Sequence, residues 1–249
     1  MKPRLWIAYD FTSSAECLAM LESILARYDE EDIIHEIGRP TVINAALEGV
    51  PIVHEFRSRL TKGQTLVCDF KGFDVPYLAE AKTYYQAGAD IVTVMGMAPD
   101  EAVREAVDGA AVDDKQVAFD LMTYLDDYFK AERARQLVQL GAKLISCHTG
   151  WSEQARGKTP DALVELVCDL LSDTDAQVIA MGGLKPANVQ RLARHCETGR
   201  VYAIVSGSAI TRSAEPNAVI EQFLEAISEL PEAPKRPTLR EAEALSAFI

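Results

Sequence analysis

A (β/α)8 barrel is the fold the sequence predicts, and three observations predict it. Eight short β-rich runs alternate with longer helical patterns along the 249 residues. Most of these runs are continuously apolar rather than alternating, as strands covered on both faces must be. The length suits a single barrel domain, commonly of about 250 residues, and a hydrophobic content of 48% supplies its core. The same β-then-α order also allows a doubly wound parallel sheet, which is the alternative.

The first strand is "RLWIAYDF". "SSAECLAMLESILARYD" follows with Leu18, Leu21, Ile24 and Leu25 at helical spacing, and Ser13 is placed to cap it. "DIIHEIG" is the second strand, with a helical region around 41–60. "TLVCDFKG" is the third, and "VPYLAEAKTYYQAG" is its helix, stopped at Gly88. "ADIVTVMG" precedes a helix near 99–108, "KQVAFDLM" one at 125–140 and "AKLISCHTG" one at 159–173. "AQVIAMGG" precedes a helix at 186–197, and "VYAIVSGSAI" one at 215–230. Residues 1–230 thus form one barrel domain. Residues 231–249 read as a Pro-rich spacer and a short amphipathic helix, "TLREAEALSAFI", that docks on the barrel or on a neighbouring subunit.

A net charge of −13 argues against a nucleic-acid or anionic-membrane surface, since such affinity comes from Lys and Arg. The opening "MKPRLWIAYD" carries no long apolar run, so neither a secretory signal nor a membrane span is expected. Five scattered cysteines with no CxxC read as reduced thiols in a cytoplasmic protein. Four histidines, none at HxH or HxxxH spacing, argue against structural zinc.

A barrel keeps its chemistry at the C-terminal ends of its strands. The polar exceptions fall there: Asp10, Glu36, Asp69, Lys71, Asp120 and His148 on strands one, two, three, five and six. Alone, such an Asp is commonly a helix cap and such a His a structural residue; together at one face they suggest a site. Asp69 and Lys71 share strand parity and point into the mouth, while Asp74 lies past the strand. Two carboxylates near an ammonium keep it protonated, and such a cluster can hold a divalent cation or stabilise a carbanion. A structural salt-bridge network is the plainer alternative. Gly182-Gly183 and Gly207-Ser208 end strands seven and eight, where barrel loops commonly bind phosphate through backbone N–H groups.

The D-x-K-x-x-D run at Asp69, Lys71 and Asp74 resembles the hallmark of the orotidine monophosphate decarboxylase suprafamily. "HEIGRPTVINAALEGV", "AGADIVTVMG", "CHTGWSEQARGKTP", "AMGGLKPANV" and "VSGSAIT" resemble segments of its metal-dependent branch, over about residues 5–228. That branch holds 3-hexulose-6-phosphate synthases and 3-keto-L-gulonate-6-phosphate decarboxylases. His148-Thr149-Gly150-Trp151 is closer to the synthases' His-Thr-Gly-Tyr than to the decarboxylases' His-Arg-x-Arg. The chain departs from the pattern at Arg39, where a Thr is usual, at the bulkier Trp151, and at "VSGSAI", which lacks the decarboxylases' Arg.

The resemblance implies a lyase. Glu36 and Asp69 would ligate Mg²⁺, with Mn²⁺ as an alternative. Lys71 would stabilise an enediolate, and His148 would be the general acid/base. Asp74 would reach the neighbouring subunit's site in a homodimer with sites at the interface. Asp10, Arg39 and Thr149 would contact the phosphorylated ketose, and Gly182, Gly183, Gly207 and Ser208 would hold its phosphate. The implied reaction joins formaldehyde to D-ribulose 5-phosphate. Decarboxylation of 3-keto-L-gulonate 6-phosphate, or phosphosugar binding without catalysis, are the alternatives.

Overall fold

Strand β1 (Arg4–Tyr9) leads into helix α1 (Ser14–Leu25), and the Ser13 hydroxyl accepts from the Glu16 N–H at 3.4 Å to cap it. The computed structural model describes residues 2–28, 33–74, 77–123 and 125–233. β2 (Ile33–Ile37) is followed by α2 (Arg39–Glu48) and α3 (Ile52–Arg59), then β3 (Thr65–Gly72), α4 (Tyr77–Gln86), β4 (Ile91–Met95) and α5 (Asp100–Val112). β5 (Gln116–Asp120), α6 (Asp127–Gln139), β6 (Leu144–His148), α7 (Trp151–Gln154) and α8 (Asp161–Leu170) come next. β7 (Gln177–Met181), a 3-10 helix (Pro186–Leu192), α9 (Ala193–Glu197), β8 (Val201–Ser206), α10 (Ser208–Thr211) and α11 (Pro216–Ser228) complete the order.

Each strand pairs in parallel with the next, and β8 returns to β1. The sheet is a closed eight-stranded barrel, so the doubly wound alternative is excluded. The helical region expected at 41–60 is two helices, because Gly49 turns left-handed at φ +71° and Pro51 follows. The helix expected at 186–197 begins as a 3-10 segment, tightened behind Pro186. The expected tail helix lies outside the described residues. All five cysteines are free and buried.

Side-chain parity sorts the strands into an outer and an inner face. The outer face packs under the helices and includes Leu5, Ile7, Ile33, Leu66, Val92, Phe119, Ile145 and Val178. One residue per strand fills the barrel interior: Trp6, Ile34, Val67, Ile91, Ala118, Leu144, Ile179 and Ala203. Two positions further along, the inward residue is Glu36, Asp69, Thr93, Asp120 or Ser146 on β2 to β6. On β7 and β8 it stays apolar, as Met181 and Val205. The floor is therefore dry, and one sector of the mouth is charged. Among the described residues, no helix is long and apolar enough to cross a membrane.

Candidate active site

The charged sector opens into a cavity of about 1190 Å³ lined by Asp10, Glu36, Asp69, Lys71 and His148, together with Gly182, Gly183, Gly207 and Ser208. At its centre is Lys71. Its Nζ lies 2.9 Å from Asp69 Oδ1 and 2.9 Å from Asp120 Oδ2. Burial alone would lower the ammonium's pKa, but the negative charges of Asp120, Asp69 and Glu36 outweigh it and hold the pKa above its ordinary value. Lys71 has a left-handed backbone, φ +52°, where the β3–β4 register shifts. A non-glycine residue in that region is held there by its surroundings. Thr93 on β4 supplies part of the hold. Its hydroxyl accepts from the Lys71 N–H at 3.0 Å and donates to Asp69 Oδ1 at 2.7 Å.

Asp120 was read from sequence only as a polar strand end, and its role appears in three dimensions. Its Oδ2 takes Lys71 and also His148 Nδ1, at 2.8 Å, while Oδ1 accepts the Met122 N–H at 2.8 Å. Burial would raise the Asp120 carboxyl, but the charges and hydrogen bonds of His148 and Lys71 hold it well below the usual carboxylate range. A carboxylate only accepts, so His148 Nδ1 carries the proton and Nε2 is left as the working nitrogen. Parity was the available signal, since Asp120 sits two residues after inward Ala118.

The second carboxylate on Lys71 is thus Asp120, not Asp74. Asp74 lies two residues beyond β3, exposed and outside the cavity lining. Asp10 and Glu36 stand on the other side of Asp69. Burial raises the Asp10 carboxyl, and Asp69 adds to the rise against the pull of Lys71, His148 and Arg212. Burial also pushes Glu36 well above its ordinary value, with repulsion from Asp69 and Asp10 adding to it. Trp6 Nε1 donates to Glu36 Oε2 from the floor. Gly38 makes room for this packing, because a Cβ there would lie 2.1 Å from Asp10 Oδ1.

Arg39 lines the cavity, but its guanidinium donates to the Phe70 carbonyl at 2.5 Å, and its N–H to Asp69 Oδ2 at 3.3 Å. Thr149 is buried behind the wall rather than lining it. Its N–H donates to the Met181 carbonyl at 3.0 Å, joining β6 to β7. Gly182 (φ +106°) turns against it, and a Cβ there would lie 2.3 Å from the Thr149 carbonyl oxygen. Gly182→Ala is therefore expected to cost about 2 kcal/mol or more. A thermal melt should read this as a fall of roughly 4–8 °C; an unchanged melt would show that this turn tolerates a side chain.

A parallel barrel with a lysine, a histidine and several carboxylates at its C-terminal mouth is built as a barrel enzyme. The comparisons with known proteins agree. Residues 3–223 match the model of the Orotidine 5'-phosphate decarboxylase / HUMPS family. The chain belongs to this family, and it is an enzyme of the lyase class. It is 32% identical over 217 residues to 3-hexulose-6-phosphate synthase of Methylomonas aminofaciens, covering 87% of this chain and 95% of that one. A crystal structure of a 3-hexulose-6-phosphate synthase superposes with a TM-score of 0.73 at 27% identity, over 91% of this chain and 99% of that one. The 3-keto-L-gulonate-6-phosphate decarboxylase of Vibrio cholerae shares the fold, with a TM-score of 0.75 at 19% identity, over 93% of this chain and 100% of that one.

Proposed function

We propose that this enzyme joins formaldehyde to D-ribulose 5-phosphate, giving 3-hexulose 6-phosphate. The observation that carries the reading is the Lys71–Asp120–His148 set beside Glu36 and Asp69 in one mouth. His148 Nε2 takes a proton from C1 of the ketose, while Asp120 holds the opposite ring nitrogen and stabilises the imidazolium that forms. Lys71, kept protonated, donates to the oxygen on which the enediolate charge develops. C1 then attacks the formaldehyde carbon. The carbonyl π pair moves to the formaldehyde oxygen, which takes the proton back from His148. The Gly182-Gly183 and Gly207-Ser208 turns accept the phosphate end.

Glu36 and Asp69 fit Mg²⁺ as its protein ligands. Among the described residues, no three His, Cys, Asp or Glu side chains converge on one point, so water and substrate would complete the shell. Mg²⁺ commonly binds in that way, through one or two carboxylates and retained waters. The repulsion that raises Glu36 is negative charge in excess, which a divalent cation would relieve. When bound, Mg²⁺ would supply Lewis acidity toward the substrate's carbonyl and hydroxyl oxygens.

Without metal, Glu36→Gln is expected to melt at or above the wild-type temperature, because it removes a buried like charge while keeping an acceptor for Trp6. With Mg²⁺ the wild type should gain several degrees and the variant none. An equal gain in both would move the metal away from Glu36.

A homodimer in which Asp74 enters the partner's mouth completes the reading. Phe73 beside it is 52% exposed, as an interface residue of an isolated chain would be. Free, buried thiols suit a reducing compartment, and we place the enzyme in the cytoplasm.

The test of the reaction is incubation of the purified chain with Mg²⁺, D-ribulose 5-phosphate and formaldehyde. Stoichiometric loss of formaldehyde and growth of a hexulose phosphate are expected. No loss of formaldehyde, with release of CO₂ from 3-keto-L-gulonate 6-phosphate, would assign the site to decarboxylation instead.

A further inference from the structure

Arg212 follows α10, on the same turn as Gly207-Ser208, and lines the cavity. Its guanidinium carbon lies 5.9 Å from the centroid of the Trp151 ring, which belongs to the segment after β6. The two residues therefore link two loops of the mouth. Trp151 is 65% exposed, a large cost for an indole unless it serves a partner.

Its platform is braced. Glu153 Oε2 accepts the Gly150 N–H at 3.2 Å, and Lys158 bonds Glu153 at 3.0 Å and Asp127 on α6 at 2.8 Å. Fully buried Lys130 lies 3.6 Å from the same Glu153.

Three of the cavity's other cations are differently placed. Lys71 and Lys158 are held in ion pairs, and Arg39 is turned to a backbone carbonyl. The Arg212 guanidinium has no hydrogen bond or ion pair among the described residues, and the charge it acts on is Asp10, at longer range. In a chain of net charge −13, an uncommitted guanidinium beside two glycine turns is not part of a general basic surface. Guanidinium binds phosphate in a bidentate fork, and stacking on an indole fixes the plane of that fork in advance.

We propose that Arg212 is a specificity-determining residue that binds the substrate's phosphate, and that Trp151 positions it. This rests on the reading that the substrate is phosphorylated. The sequence departures at Trp151 and in "VSGSAI" become one feature, in which Arg212 supplies from four residues further on the cation that the glycine turn lacks. Arg156 and Lys185 line the same rim and share the field, so the loss on removing Arg212 is partial.

The test is calorimetric titration of inorganic phosphate into the full chain, with single and double variants and melting curves as controls for folding. Arg212→Gln should weaken phosphate about tenfold, and Arg212→Lys, which keeps charge but not the fork, about threefold. Trp151→Ala should weaken it about threefold, and the double variant should bind no worse than Arg212→Gln alone, because Trp151 acts through Arg212. With D-ribulose 5-phosphate the change should fall on KM rather than kcat, as uniform binding does. Arg212→Gln binding phosphate like the wild type would overturn the inference alone. So would a Trp151→Ala loss that adds fully to that of Arg212→Gln. Failure of the wild type to bind phosphate at millimolar concentration would overturn the phosphorylated-substrate reading and this inference with it.

Discussion

Asp120→Asn is expected to lower turnover by about 10³-fold or more while the barrel still folds. That is a loss of roughly 4 kcal/mol of transition-state stabilisation. The amide can turn its oxygen to Lys71 Nζ and His148 Nδ1–H only by setting its NH₂ against the Met122 N–H, and it carries no negative charge. Either the imidazole turns its other tautomer to the cavity, or the imidazolium formed on proton abstraction has no anion beside it. Lys71 keeps Asp69 at 2.9 Å, so the buried ammonium is not stranded.

The pH dependence follows from the directions of the two shifts. Asp120 is depressed, so its stabilising contribution is present above the ordinary 3.8 and is lost as pH falls below it. Lys71 is raised, so its contribution is present below 10.5 and is lost only as pH climbs through its higher folded value. Asp120→Asn should therefore melt below the wild type at neutral pH, and the gap should begin to close only once the pH drops below 3.8. A gap that widens in acid would contradict the ion-pair account.

Lys71→Ala is expected to damage both activity and folding. It leaves Asp69, Asp120 and Glu36 as neighbouring buried carboxylates with no cation between them. Removing one partner of a buried pair costs about 3–5 kcal/mol, a fall of roughly 10 °C for a chain of this size. The same change removes the donor proposed for the developing oxyanion, so turnover should fall below about 10⁻³ of wild type even where the variant is folded. Circular dichroism melts with steady-state rates measured well below the melting temperature separate the two effects. A variant with wild-type stability and a tenfold loss or less would remove Lys71 from the centre of the site.

The barrel was legible because its signals are local and repeated. Short bounded runs such as "LVCDF" and "QVIAM" read as strands buried on both faces, and Ser13 and Gly88 mark helix ends by their own chemistry. The places that escaped were decided by neighbours. Gly49 and Pro51 cut one expected helix into two, and Pro186 tightened another. In the site, Asp10, Glu36, Asp69, Lys71 and His148 could be placed by strand ends alone. Asp120 could not be given a role, because its partners come from strands 28 and 49 residues away in sequence. Thr93 was not singled out in the sequence, and only the fold brings it between Asp69 and the Lys71 backbone. Thr149 shared a motif with His148 but has the opposite parity, which turns it away from the cavity. Arg212 lies outside every motif and became visible only against the ring of Trp151.

In the proposed mechanism an Asp120-anchored His148, aided by Lys71, removes a proton from C1 of a phosphorylated ketose. The most direct measurement is a proton NMR time course of D-ribulose 5-phosphate in D₂O with Mg²⁺ and no formaldehyde, comparing the wild type with Asp120→Asn. Loss of one C1 proton signal is expected in the wild type, with exchange slowed by about 10³-fold in the variant. No exchange in the wild type, or equal exchange in both proteins, would contradict it.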